Sequence, residues 1–305
     1  MTYLLALFGI LAISFSAILV RLSGASPSTA AFYRCAYAVP VLVVAWLLVR
    51  NRDRRSTTER WLALAAGGFF ALDLTLWHRS IEDIGAGMST VLGNTQILFV
   101  GVLAWLLFRE RPTRTALVLV PVILAGVALS TGLGAEDSFG VNPVRGAVYG
   151  VFTGIAYAFF LLTFRRANRS LAPPAGPLLD ATAGATVGIL ILAPFDRHFD
   201  LGPPLESHLW LIVLALGVQV AGWLLISVAL PRLPSLETSV MLLLQPMAAL
   251  LWGFLIYSEE PSPVQWAGVA VVLVGVGILS WRGSVEGERI DGPLDAPPPA
   301  ESAAV

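Results

Sequence analysis

Lysine is absent from the 305-residue chain, and all 19 basic positions are arginine. That absence excludes a Walker phosphate loop, whose lysine contacts the nucleotide, and any lysine Schiff base. A single cysteine, Cys35, excludes an internal disulfide and paired-cysteine metal spacing. With only three histidines beside it, a structural zinc site is not expected. Charge is scarce as well. Only 13% of residues are charged and 56% are hydrophobic, against roughly 25% charged in a typical globular chain. In place of charge stand apolar runs of about 18 to 22 residues, long enough as helices to cross a ~30 Å hydrocarbon core. The chain reads as an all-helical integral membrane protein. Its first run, Tyr3 to Val20, lacks a basic leader and is long for a signal peptide, so it is read as the first span.

The apolar runs predict ten spans, at roughly 3–20, 30–49, 61–78, 86–107, 115–132, 145–164, 177–195, 208–229, 235–257 and 264–281. Short connections carry helix-start chemistry. Asn142-Pro143 reads as an N-cap with proline at the first helical position. Ser262-Pro263-Val264-Gln265 reads as a capping box, and Thr113 is placed to cap the fifth span.

The stretch from Ile84 to Pro112 aligns without a gap on Leu233 to Pro261, at an offset of 149 residues. Gln96 then falls on Gln245, Glu110 on Glu259, Pro112 on Pro261 and Gly126 on Gly275. Such a register marks a duplicated unit. Five spans per unit is odd, so the second copy enters the membrane from the opposite side, as an inverted repeat. The units expected are residues 1–133 and 142–282, followed by a disordered cytoplasmic tail at 283–305, rich in proline and alanine. One set of alternating loops holds fourteen arginines, five of them in the loop with Arg50, Arg52, Arg54, Arg55 and Arg60. The positive-inside rule therefore places both termini in the cytoplasm, with Arg21 alone arguing the other way. Gly146, Gly150 and Gly154, and again Gly184 and Gly188, are small-residue steps that let helix backbones approach.

Polar groups inside spans are costly and mark candidate sites. Gln96 and Gln245 each follow a hydroxyl residue, Ser89 or Thr238, by seven positions, which puts each pair on one helix face. Two readings stand: an interhelical hydrogen bond, or a solute ligand. Pro246 removes a backbone donor and should free the carbonyl of Leu242. Asn94 lies about 200° from Gln96 on a regular helix, so those two cannot share a face. In the third span Asp73 and Trp77 share a face while His78 points away. Asp73 is the candidate for proton coupling. The eighth span carries a stripe of Gln219, Trp223 and Ser227 at four-residue spacing. Arg34 either snorkels to the interface or faces a cavity and binds a carboxylate. Tyr157, mid-span, is a further cavity candidate. Asp180 and Glu237 read as interfacial or helix-dipole residues, Glu110 and Glu259 as closers of interhelical turns, and Cys35 as packing.

These features resemble the EamA-domain members of the drug/metabolite transporter superfamily. The carriers are Asn94-Thr95-Gln96-Ile97 and Phe108-Arg109-Glu110-Arg111-Pro112-Thr113 in the first unit, and Leu244-Gln245-Pro246 and Tyr257-Ser258-Glu259-Glu260-Pro261-Ser262 in the second. The first unit departs from the pattern in having Ile97 where the family often has proline. Both turns also lack the usual glycine before glutamate. The resemblance implies a ten-helix transporter whose spans one to four and six to nine line a central path, with five and ten outside. Relatives of this kind move amino acids and other metabolites, often outward, or nucleotide sugars.

The expectation is a secondary transporter of the cell membrane that exports a small polar, amino-acid-like metabolite by alternating access. Its solute site is expected near the midplane, from Asp73, Trp77, Gln96, Gln219, Trp223 and Gln245, with Arg34 and Tyr157. The expected partners are a small-molecule solute and the lipid bilayer, with no nucleic acid, and the expected state is monomer or homodimer. No catalytic centre, cofactor or metal is expected. An importer of the same fold, or a structural or regulatory membrane protein, remains the alternative.

Overall fold

The structure is a computed structural model and describes residues 2–108, 114–130, 139–167, 173–196, 198–229 and 235–290. Among these residues the regular structure is entirely helical. The first apolar run forms α1 (Thr2–Ser14) and α2 (Ser16–Ser23), joined at Phe15, and α2 ends on Gly24 in the left-handed region (φ 59°). Then come α3 (Pro27–Val49), α4 (Thr57–Gly93), α5 (Gln96–Phe108) and α6 (Arg114–Ser130). The second half holds α7 (Pro143–Ala167), α8 (Ala175–Leu192) and α9 (Leu205–Val213), the last continued by a π-helical stretch, Leu214–Gly222, into α10 (Trp223–Ala229). The chain closes with α11 (Ser235–Tyr257) and α12 (Pro263–Ile290). Among the described residues six helical runs are long and apolar enough to cross a membrane, and Leu117–Ser130, Leu244–Tyr257 and Pro263–Ile278 are shorter apolar helices.

Local chemistry sets the helix starts. Asn142 Oδ1 accepts from Arg145 N at 3.0 Å with Pro143 at the first position of α7. At α12, Gln265 N donates to Ser262 Oγ and Ser262 N to Gln265 Oε1, at 3.4 and 2.9 Å. This is the reciprocal box expected from the sequence. A second box, Ser56 with Glu59, starts α4.

Three features depart from the sequence reading. The third span does not end in a loop: α4 turns at Gly85 (φ 81°) and continues to Gly93. The chain then breaks at Asn94-Thr95 before α5, so the fourth apolar run is two half-helices although it contains no proline. By contrast α11 runs through Pro246 as one helix over the expected 235–257. α12 continues to Ile290, into the segment expected to be a disordered tail. The turn at Glu110 and Thr113, the side chains of Glu237 and Thr238, and residues 291–305 lie outside the described part.

α4 lies at the centre, packed on α7 and α8, while α3 packs on α8 and α1 on α10 and α11. The close approaches fall at the glycine steps. A Cβ added at Gly184 would stand 2.1 Å from Leu64 O, and one at Gly67 2.2 Å from Ala181 O. Only backbone-to-backbone contact fits there, which is how helices associate where lipid supplies no hydrophobic drive. Gly146, Gly150 and Gly154 lie in turn against Ile84, Leu92 and Thr95. α6 pairs with α12 reciprocally: Gly126 meets Val271, and Gly275 meets Ile123.

Candidate functional site

A cavity of about 240 Å³ lies among α1, α2, α3, α4, α5, α7, α10 and α11. It is small beside the ~300–1,000 Å³ usual for drug-sized ligands. Arg34, Asp73, Trp77, Gln96, Tyr157, Trp223 and Gln245 all line it, so seven of the eight residues singled out in the sequence face one space. Ser16, Thr90, Asn94 and Thr153 line it too. Sequence reasoning missed Ser16, Thr90 and Thr153. The available signal was a hydroxyl inside an apolar run, which does not separate a ligand from a side chain bonded to its own helix, as Thr90 Oγ1 is to Ala86 O.

Arg34 is 3% exposed and held as a fork. Its Nε donates to Gln219 Oε1 at 3.0 Å and its Nη1 to Ser16 Oγ at 2.9 Å. The guanidinium carbon stands 5.9 Å from the Phe70 ring centre and 6.0 Å from that of Trp77. Among the described residues its Nη2 has no hydrogen-bond partner and no carboxylate pairs with it. Snorkelling is therefore set aside, because this cation is turned inward. Asp73, 7% exposed, likewise has no hydrogen bond or ion pair among the described residues. Among the described residues three further lining atoms are buried without partners: Gln96 Oε1, Thr153 Oγ1 and Trp223 Nε1. Groups of this kind are expensive to bury unsatisfied.

Gln219 is the exception. It is fully buried and does not line the cavity; its Oε1 takes the Arg34 Nε–H and its Nε2 donates to Thr182 Oγ1 at 3.2 Å. The expected stripe of Gln219, Trp223 and Ser227 does not face the cavity as a unit. Only Trp223 lines it, because the Gln219 side chain is taken up by Arg34 and Thr182. Gln219 thus buttresses Arg34 from behind.

The Asn94–Gln96 expectation also fails, because the two residues sit on either side of the break and both face the cavity. A 200° separation holds only within one helix. Ser89 does not line the cavity with Gln96: the break lies between them, and its hydroxyl is bonded to Ala86 O. His78 does turn away from Asp73, with Nδ1 2.9 Å from Pro27 O.

Several charged groups at the ends of the bundle are paired. Arg55 bonds Asp53 through Nε and Nη2 and reaches Asp180 through Nη1 at 2.8 Å, so Asp180 is an ion-pair partner rather than a helix-dipole residue. The Arg55 hydrogen bonds, with one from Trp46, lower Asp53 to a pKa of about 2. At the other end Arg145 holds Asp83 through two hydrogen bonds of 2.8 and 2.6 Å. Glu259 does more than close a turn, because it binds Arg21 and the backbone of α4.

A bundle of long apolar helices around a small cavity lined by an arginine and an aspartate defines a multi-pass membrane protein. The chain belongs to the EamA-like transporter family, whose model matches residues 1–132 and 144–281. It is 23% identical over 259 residues to the uncharacterized transporter YxxF of Bacillus subtilis (strain 168), covering 82% of this chain and 80% of that one. It is 29% identical over 236 residues to the uncharacterized protein PA1977 of Pseudomonas aeruginosa, covering 76% and 78%. To the inner membrane protein YtfF of Escherichia coli (strain K12) it is 26% identical over 268 residues, covering 78% and 81%. One solved crystal structure, 16% identical, superposes with a TM-score of 0.59 over 95% of this chain and 98% of its own, a likeness of fold alone.

Proposed function

We propose that this multi-pass membrane transporter is a secondary transporter that exports a small polar, amino-acid-like metabolite from the cytoplasm by alternating access. The observation that carries the reading is the pair Arg34 and Asp73. They are opposite charges facing one cavity, each without an ionic partner among the described residues. A zwitterion satisfies the set. Its carboxylate takes the Arg34 Nη2 and Trp223 Nε1 donors, and its ammonium takes Asp73 and Gln96 Oε1. Phe70, Trp77 and Tyr157 contact its carbon frame.

The moving bodies of this proposal are two inverted five-helix halves, residues 1–133 and 142–282. Three observations support them: the 149-residue register, the reciprocal seating of Gly126 and Gly275 between α6 and α12, and cavity walls drawn from both halves. Asp73 is the proposed proton-coupling group. The arginine distribution supports cytoplasmic termini.

A thermal-stability screen of the detergent-solubilised protein against small polar metabolites tests the site. A bound solute must raise the transition by mass action, about 2.7 kcal/mol at a hundredfold excess over Kd. At least one zwitterionic solute should do so, and Gln245→Ala should abolish the response while melting like wild type. No response from the folded protein across amino acids and related metabolites contradicts the proposal.

A further inference from the structure

A second cavity, about 420 Å³, lies further along α2 and α4 and shares no lining residue with the first. On α2, Ser16 lines the central cavity and Arg21 the second; on α4, Thr90 lines the central one and Gly85 the second. Ile18, Leu19 and Ala86 lie between these positions and are buried in one apolar cluster. A polar solute cannot cross that layer while it is packed.

Glu259 sits where the layer is pinned. The residue is 4% exposed, and its carboxylate accepts from Arg21 Nη1, from Ala86 N at 2.8 Å and from Gly87 N at 3.1 Å. Its own amide donates to Gly253 O at 3.2 Å, and the Arg21 guanidinium lies over the Tyr257 ring, 3.7 Å from its centre. The backbone is shaped to admit the carboxylate. A Cβ at Gly85 would stand 2.6 Å from Oε1, and one at Gly253 2.3 Å from Oε2. Gly85 also holds φ at +81°, which turns the following amides toward the carboxylate. The three elements gathered here, α1–α2, the 86–93 stretch of α4 and α11, are also three walls of the central cavity, through Ser16, Thr90 and Gln245. One carboxylate therefore holds three walls together at one end.

We propose that Glu259 is a latch that closes the central cavity toward the second cavity, and that solute passes between the two only when its carboxylate releases Arg21 and the α4 amides. The proposal rests on the transporter reading for its purpose, but its test needs no solute. In a Cys35→Ser background, Asn94→Cys places a reporter thiol in the central cavity. A membrane-impermeant maleimide is applied to right-side-out and to inside-out vesicles of the full chain. A separate Val141→Cys variant identifies the face of the second cavity, Val141 being exposed there.

Glu259→Gln should raise the labelling rate from that face roughly tenfold, and Arg21→Gln about threefold, since charge-assisted contacts are lost. Gly253→Ala, which crowds the carboxylate without removing its charge, should also raise it. Exchanging the charges, Arg21→Glu with Glu259→Arg, should not restore slow labelling, because backbone amides donate and cannot hold an arginine. Unchanged labelling in Glu259→Gln and Arg21→Gln, with thermal transitions showing folded protein, overturns the latch. So does full restoration by the charge exchange, which would leave a simple ion pair. Either result leaves solute exchange to be judged separately in proteoliposomes.

Discussion

Replacing Gln219 separates the receptor role of Arg34 from its packing. Gln219→Leu keeps the volume roughly but removes the acceptor 3.0 Å from Arg34 Nε, leaving a buried donor of a charged group unpaired. Hydrogen bonds to charged groups contribute about 1.5–3 kcal/mol, so a loss of about 2 kcal/mol is expected. At about 2–4 °C per kcal/mol, the melting transition should fall by roughly 4–8 °C. With the fork no longer held, affinity for a carboxylate solute should fall about thirtyfold if the same 2 kcal/mol is lost from binding. Gln219→Glu makes the opposite change. It keeps an acceptor for Nε and adds a charge that neutralises Arg34, so the protein should melt no lower than wild type yet lose as much solute affinity. Detergent melts and the concentration dependence of proteoliposome exchange read the two effects apart. A Gln219→Glu protein with wild-type solute affinity refutes the receptor role of Arg34.

The remaining predictions concern packing and charge. Gly184→Ala should destabilise by about 1–3 kcal/mol through overpacking, because its Cβ meets the Leu64 carbonyl at 2.1 Å. Gly217→Ala, which meets nothing within 4 Å, should be neutral in the same melts. Asp73→Asn should weaken solute exchange, through loss of the carboxylate that takes the ammonium, and abolish accumulation driven by an imposed pH gradient; unchanged gradient-driven accumulation removes Asp73 from coupling. Asp53, held at a pKa of about 2 by Arg55, contributes stability that is complete above about pH 4 and is lost as pH falls through about 2. Asp53→Asn should remove that part of the acid sensitivity of the melting transition.

Most of the helical architecture was legible because lipid forces long apolar runs into helices, and the caps at Asn142 and Ser262 were legible because their partners are three residues away. Positions read from helical angles held where the helix was regular, as for Asp73 and Trp77, and failed where it was not. Asn94 was excluded from the face of Gln96 by a wheel that the break at 94–95 invalidates. Gln219 was placed in the cavity by its spacing from Trp223, but its side chain is taken up by Arg34 and Thr182. No proline marks that break, and those two partners lie far from Gln219 in the chain, so neither could be read. The Glu259 latch and the Arg55–Asp180 pair were also hidden, since they join residues far apart in the chain.

Counterflow tests the central claim most directly, because it requires a site that opens alternately to both sides and needs no driving gradient. Proteoliposomes loaded with unlabelled small polar metabolites, zwitterionic amino acids among them, are diluted into traces of the labelled solute. The account predicts transient uptake above equilibrium for at least one zwitterion, lost in Arg34→Gln. Absence of counterflow across the panel from folded, reconstituted protein contradicts it, as does uptake that never exceeds equilibrium.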